Sequence, residues 1–268
     1  MIIFTGTGYS GTGMYSKLFS THHEYRVERL VRRIRALPGA AAPQHDLLRD
    51  PALRRDLMAE HLRGVELRSF RDSSNPYVHL ADALWAADQN CRIVLGVRDG
   101  REFVRTAISR GHHLPDGHRR PHTFRTLFHT IARLSGRARG RFSGFMFEPE
   151  RSDPWHSQWS ALGAVGRMAW LWQYRNQKAL ERLQSVPTAN WTVTRLEDLT
   201  RDSSRTELQR LQSFVGVPAD PRWLTERHNQ TSHHTFPHHS EWSADTLAEF
   251  DRIAGPLMRQ FGYWGAAS

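Results

Sequence analysis

Short apolar runs alternate with longer amphipathic stretches along this chain. Ile2-Ile3-Phe4 is too short for a helix and reads as a strand. A segment of Gly, Ser and Thr from Thr5 to Gly13 follows it, and Met14–Phe19 then has helical character. Val27, Leu30, Val31 and Ile34 keep helical spacing, which predicts a helix to about Leu37, broken by Pro38-Gly39. A second amphipathic helix is expected over Asp50–Leu62. Val65–Asp72 alternates loosely like a strand, and Asn75-Pro76 has the chemistry of a helix start. Ile93–Val97 is continuously apolar, as a central parallel strand would be. A helix is expected within three residues of it. Phe124–Leu134 carries one apolar face. Trp155–Leu183 reads as a long aromatic-rich helix, Trp191–Thr194 as a strand, and Leu208–Val215 as a short helix ended by Gly216-Val217-Pro218. A last helix is expected over Ala244–Phe261. Strands alternating with helices predict one α/β domain with a parallel sheet of about four or five strands flanked by helices.

Composition narrows the picture. At 268 residues the chain can bury a full core as one domain over 1–268. No stretch of eighteen apolar residues occurs, so no membrane span is expected. Met1 leads directly into the first strand, and no signal peptide is expected before it. The single cysteine, Cys91, rules out an internal disulfide and fits a reducing cytoplasm. The net charge is +10, and Lys17 and Lys178 are the only lysines. Arginine suits forked contacts to phosphate or sulfate. A basic surface is compatible with nucleic acid, an acidic membrane or a small polyanion.

The glycine-rich segment carries the clearest chemistry. A strand, a glycine loop and a helix start together can aim several backbone N–H groups at one anion, with the helix dipole behind them. Gly6 and Gly11 have the spacing of G-x-x-x-x-G-K-[ST], but Thr12-Gly13 stands where that motif needs Lys and a hydroxyl residue. The tools for ATP and Mg²⁺ are therefore missing. Gly6, Gly8 and Gly11 also match G-x-G-x-x-G, without the acidic residue about 20 positions on that a dinucleotide site uses. A structural strand-to-helix turn is the plain alternative.

Other candidates follow along the chain. Glu28, or Glu24, could face a substrate or lie on a solvated helix face among arginines. Asp72 would stand at the carboxyl end of a strand, where a carboxylate can deprotonate an acceptor or cap a turn. Arg98 closes the apolar run Ile93–Val97 and can grip a phosphate with two N–H groups, and Thr106 follows eight residues later. A basic, irregular region at about 112–152 suits a lid or acceptor pocket, or a solvated Arg-rich surface. Glu197-Asp198 is read as a helix-start feature. The histidines of 228–239 come as adjacent pairs in a loop rather than at helical spacing, so no metal is expected.

The two informative blocks resemble those of PAPS-dependent sulfotransferases of bacterial type, a family with a P-loop-NTPase-like fold. Ser10-Gly11-Thr12 after a strand and glycine is similar to its 5′-phosphosulfate loop, K/R-S-G-T; Tyr9 stands where the family has Lys or Arg. Arg98 and Thr106 are similar to its 3′-phosphate element, R-[DN]-P-x-[DE]-x-x-x-S, with Gly100 in place of Pro and Thr in place of Ser. Trp191–Leu199 and Phe261-Gly262-Tyr263 look like later family elements. Leu196 stands where an aromatic is usual, and the R-K-G-x-x-G-D-W form of cytosolic members is missing. The resemblance implies transfer of the sulfuryl group of PAPS to a hydroxyl or amine, with release of PAP. It implies 5′-phosphosulfate binding by Gly8, Tyr9, Ser10, Gly11, Thr12 and Gly13, and 3′-phosphate binding by Arg98 and Thr106. It implies Glu28, or Glu24, as base, no metal, and a loop from the His-rich segment over the nucleotide; Asp72, from its strand-end position, comes second to Glu28 as base. The expected partner is a small-molecule acceptor, acidic if the basic region lines its pocket, and not nucleic acid; oligomeric state stays open. Two rivals remain: a kinase with an aberrant P-loop and an Arg-rich nucleic-acid-binding module.

Overall fold

A computed structural model of the chain describes residues 1–23, 50–110, 149, 151–201, 203–225 and 234–263. Its centre is a parallel five-stranded sheet. The strands are β1 (Ile2–Gly6), β2 (His22–His23), β3 (Arg71–Ser73), β4 (Arg92–Val97) and β5 (Trp191–Arg195). Their order is β2-β3-β1-β4-β5, with every neighbouring pair parallel. The chain leaves β1 toward one edge and β4 toward the other. The crevice at the carboxyl ends of β1 and β4 is therefore the topological switch point, where open α/β sheets bind ligands.

The helices cover both faces. Alternation along β1 sends Ile3 to one layer and Phe4 to the other. On the Phe4 side lie α1 (Thr12–Leu18) and, later in the chain, the short helix Leu196–Arg201 and the helix Thr206–Val215. On the Ile3 side lie α2 (Pro51–His61), α3 (Ala81–Ala87) and the second half of α5 (Ala164–Leu183). Between them in sequence, α4 (Gly100–Ser109) follows β4. It packs with the first half of α5 and with the final helix, Ala244–Gln260, around Phe103, Trp170, Trp172 and Phe250. Every residue of β4 after Arg92 is buried, as its apolar run requires.

The helix ends follow local chemistry. Asp50 caps α2 by accepting from Ala52 N at 2.8 Å, Asp99 caps α4 by accepting from Arg101 N at 2.8 Å, and Ser243 accepts from Thr246 N at 3.2 Å. Gly216 closes Thr206–Val215 in the left-handed region, φ 71°.

Several elements differ from expectation. The helix expected over Trp155–Leu183 begins only at Ala164. Asp153 accepts from Trp155 N at 2.8 Å and from Trp170 Nε1 at 3.1 Å, holding the preceding residues in turns, and Gly163 enters the helix extended. Of Val65–Asp72, only its end joins the sheet, as β3. Asn75-Pro76 opens a 3₁₀ turn, Asn75–His79, before α3 begins at Ala81. The helix expected from Val27 to Leu37, Glu24, Glu28 and the helix at Phe124–Leu134 lie outside the described residues. So does nearly all of the basic region at about 112–152. No helix among the described residues is long and apolar enough to cross a membrane.

Candidate anion site at the carboxyl edge of the sheet

The loop from Thr7 to Gly11 turns back onto the sheet because two glycines face each other beneath it. Gly6 of β1 pairs in register with Gly96 of β4. A Cβ on Gly6 would collide with Ser10 Oγ and the Gly96 carbonyl. One on Gly96 would come within 2.7 Å of the Tyr15 ring and 3.2 Å of Ser10 O. The isolated glycine inside the β4 run is the sequence sign of this close approach. Gly8 and Gly11 have φ 91°, and Tyr9 has φ 53° between them. Such a run of left-handed positions is available cheaply to glycine and is costly for a tyrosine. The first helical bonds are Met14 N and Tyr15 N to Gly11 O, at 2.8 and 3.0 Å.

Arg98 comes to the same loop from the tip of β4. Its Nη1 donates to the Tyr9 carbonyl at 3.3 Å, and its Nη2 is 3.5 Å from Glu102. Its own carbonyl accepts from Trp172 Nε1 at 3.0 Å, which fixes the strand tip against α5. Gly100 lies where a Cβ would be 3.1 Å from both Phe250 and Trp172, so the position has little room for a side chain. Thr106 is two turns along α4 and 3% exposed. Its hydroxyl has no hydrogen-bond partner among the described residues, and the same holds for Ser10 Oγ, at 0% exposure. Buried polar atoms normally find a partner. Tyr15 Oη and Thr194 Oγ1 likewise have none among the described residues, and Ser10 Oγ lies against Gly6 beneath the loop.

Tyr9 is half-buried against α4. Its ring lies 5.9 Å from that of Phe103, with the Arg110 guanidinium 5.0 Å above it. Burial raises the phenol pKa, against the opposing pull of Arg110 and Arg175. Arg175 is a site residue that the sequence reading missed. It projects from α5 into the interior, 7% exposed, and donates from Nη1 to the Thr7 carbonyl at 2.7 Å. Burial lowers it to about 10, so it stays charged at neutral pH. The available signal was an arginine on the apolar stripe Met168, Trp172, Arg175, Ala179. Leu196 also reaches the loop: a Cβ on Gly11 would sit 2.7 Å from its Cδ1.

Asp72 stands near the carboxyl end of a strand, as expected, but its side chain is buried. It is 1% exposed, one residue before the end of β3, and pairs in register with Ile3. Tyr77 Oη donates to it at 2.6 Å and Ser73 N at 2.7 Å, while His61 Nε2 lies 2.8 Å from Tyr77 Oη. Those bonds hold the turn after β3. Glu197 accepts from Asp99 N at 3.1 Å and from Tyr263 Oη at 2.8 Å, tying the β4 tip to the C-terminal segment.

The described part of the His-rich segment, from His234, packs on α4. Phe236 N donates to Ser109 Oγ at 3.1 Å, and Arg105 Nε donates to Phe236 O at 3.3 Å. His238 and His239 approach Glu102 at 3.5 and 4.0 Å, and ligand-type atoms of the three lie within 4.8 Å of one another. Arg98 and Arg105 face the same carboxylate at 3.5 and 3.9 Å. A cation there would have to oppose two guanidinium groups. His238 Nδ1 also accepts from Ser240 N at 3.3 Å, which leaves the ring's proton on Nε2 in the neutral form.

The chain resembles two solved sulfotransferases over nearly its whole length. One is the sulfotransferase domain from the curacin biosynthetic pathway: 14% identity, 96% of each chain covered, TM-score 0.47. The other is the sulfotransferase from Alicyclobacillus acidocaldarius: 15% identity, 98% of this chain and 94% of that one, TM-score 0.48. No protein-family model matches, and no curated protein does.

Proposed function

We propose that this chain is a PAPS-dependent sulfotransferase, moving a sulfuryl group to a hydroxyl or amine acceptor and releasing PAP. The observation that carries the reading is the placement of Arg98 against the glycine loop, Nη1 to Tyr9 O at 3.3 Å. An arginine and an amide-rich loop side by side at the switch point suit a nucleotide with phosphate at both its 5′ and 3′ positions. The buried hydroxyls of Ser10 and Thr106, without a partner among the described residues, are compatible with that reading.

PAPS supplies an activated sulfuryl group on its 5′-phosphate. The chain's own contribution is charge and position. Amides and hydroxyls of Gly8–Gly13 would hold the 5′ end. Arg98 and Thr106 would hold the 3′-phosphate and distinguish PAPS from ATP-like nucleotides. Sulfuryl transfer also needs in-line placement and a base for the acceptor proton. Glu28, which lies outside the described residues, is the first choice for that base, and Asp72, which accepts from Tyr77 and Ser73, is the second. The acceptor is a small-molecule, carbohydrate or lipid hydroxyl or amine, with an acidic one matching the basic region at about 112–152.

Thermal-shift measurements with PAP, ATP–Mg²⁺ and an oligonucleotide test the reading, because a ligand that binds only the folded state raises its stability. PAP alone should raise the melting temperature. Stabilisation by ATP–Mg²⁺ but not PAP would indicate a kinase. Stabilisation by the oligonucleotide, falling steeply with salt, would indicate a nucleic-acid module.

A further inference from the structure

The glycine loop has no charge of its own: every side chain from Thr5 to Met14 is neutral. Lys17, one turn further on, stands over the Trp223 ring at 4.6 Å, on the Phe4 side of the sheet. Two guanidinium groups reach the loop from other elements. Arg98 holds the Tyr9 carbonyl, and Arg175 holds the Thr7 carbonyl at the shorter distance of 2.7 Å. Arg175 lies on the buried face of α5, between Trp172 and Ala179, where Asn176 is the other buried polar side chain. Burying a guanidinium there carries a desolvation cost that an apolar residue would avoid. The groups that act on its charge include the phenols of Tyr9 and Tyr174.

We propose that Arg175 supplies, from α5, the positive charge that the loop's own neutral side chains lack, and that it acts on the 5′-phosphosulfate end of the bound nucleotide. The proposal rests on the sulfotransferase reading for the identity of that nucleotide. Arg175 is a positioning residue. It fixes the Thr7 peptide, offsets the negative end of that peptide's dipole, and sets a full charge beside the loop where water does not screen it. The Tyr9 ring, lodged between Phe103 and Arg110, occupies space on the α4 side and leaves the charge to come from behind the loop.

Titration of the full chain with PAP, adenosine and inorganic pyrophosphate tests this in wild type, Arg175→Met, Arg175→Lys and the double variant Tyr9→Lys/Arg175→Met. Loss of a charge-assisted contact predicts that Arg175→Met weakens PAP and pyrophosphate binding about tenfold or more. Adenosine binding should be unchanged, because it carries no phosphate. Tyr9→Lys in the same background should restore most of the lost affinity, which a packing role would not predict. Arg175→Lys keeps the charge and should bind within about threefold of wild type. If Arg175→Met does not fold, Arg175→Lys decides, and a loss beyond about tenfold there overturns the charge role. Undiminished PAP binding by a folded Arg175→Met, equal loss for adenosine, or no rescue by Tyr9→Lys overturns the proposal while leaving the nucleotide reading intact. Failure of wild type to bind PAP sinks that reading instead, and pyrophosphate then judges Arg175 alone; no pyrophosphate binding by wild type removes both.

Discussion

Arg98 and Glu102 form a pair one helical turn apart, Nη2 to Oε2 3.5 Å, while the same guanidinium reaches the Tyr9 carbonyl. The carboxylate therefore competes for the group assigned to the 3′-phosphate. A partly exposed pair of this kind is worth about 0–1 kcal/mol. Glu102→Gln should leave the melting temperature nearly unchanged and tighten PAP binding by up to about fivefold. Weaker binding by the variant, measured by calorimetry, would show that Glu102 holds Arg98 in its working position instead.

The seat of the loop is the facing pair Gly6 and Gly96. Gly6→Ala would push its methyl into Ser10 Oγ and the Gly96 carbonyl. Overpacking of this sort costs about 1–3 kcal/mol. The variant should still fold, with a lowered denaturant midpoint, and should lose PAP binding altogether. A variant that folds and binds like wild type would mean that the loop does not hold the nucleotide.

Much of this site was legible in the sequence for a physical reason. Ile2–Gly13 and Ile93–Arg98 each carry strand, turn and helix signals within a dozen residues, so local chemistry fixes their shape. Parallel neighbours then bring their ends together. Arg175 was not legible, because an arginine inside an aromatic helix reads as one charge on a surface until the tertiary contact to Thr7 is known. Asp72 was legible as a strand-end residue, but its bond to Tyr77 shows only once the turn after β3 is known. The short strand β2 escaped because two histidines carry no strand signal; the sheet edge recruits them beside β3.

Cys91 is fully buried, and burial pushes its thiol up to about 12. The thiolate is the reactive form. Iodoacetamide should leave the folded chain unmodified at pH 8, and labelling should track unfolding by denaturant. Fast labelling of the folded chain would show that the β4 start opens locally.

His239 sits on α4 among Arg101, His238, Asp99 and Glu102. Burial, then Arg101 and His238, lowers its pKa below the ordinary 6.5, against the pull of the two carboxylates. Between the lowered value and 6.5 the unfolded chain binds more protons than the folded one. Stability contributed at this site is therefore present above 6.5 and falls as pH drops through that window. His239→Gln should show a smaller fall in melting temperature from pH 7.5 to 5.5 than wild type. An identical fall in both would assign the acid sensitivity to other groups.

The most direct test of one nucleotide spanning the loop and Arg98 is calorimetric titration of wild type and Arg98→Ala with PAP and with AMP, which lacks the 3′-phosphate. The account predicts that wild type prefers PAP by about tenfold or more, and that Arg98→Ala erases most of that preference while AMP binding changes little. Equal affinity of wild type for the two nucleotides, or equal loss of both in the variant, would contradict it.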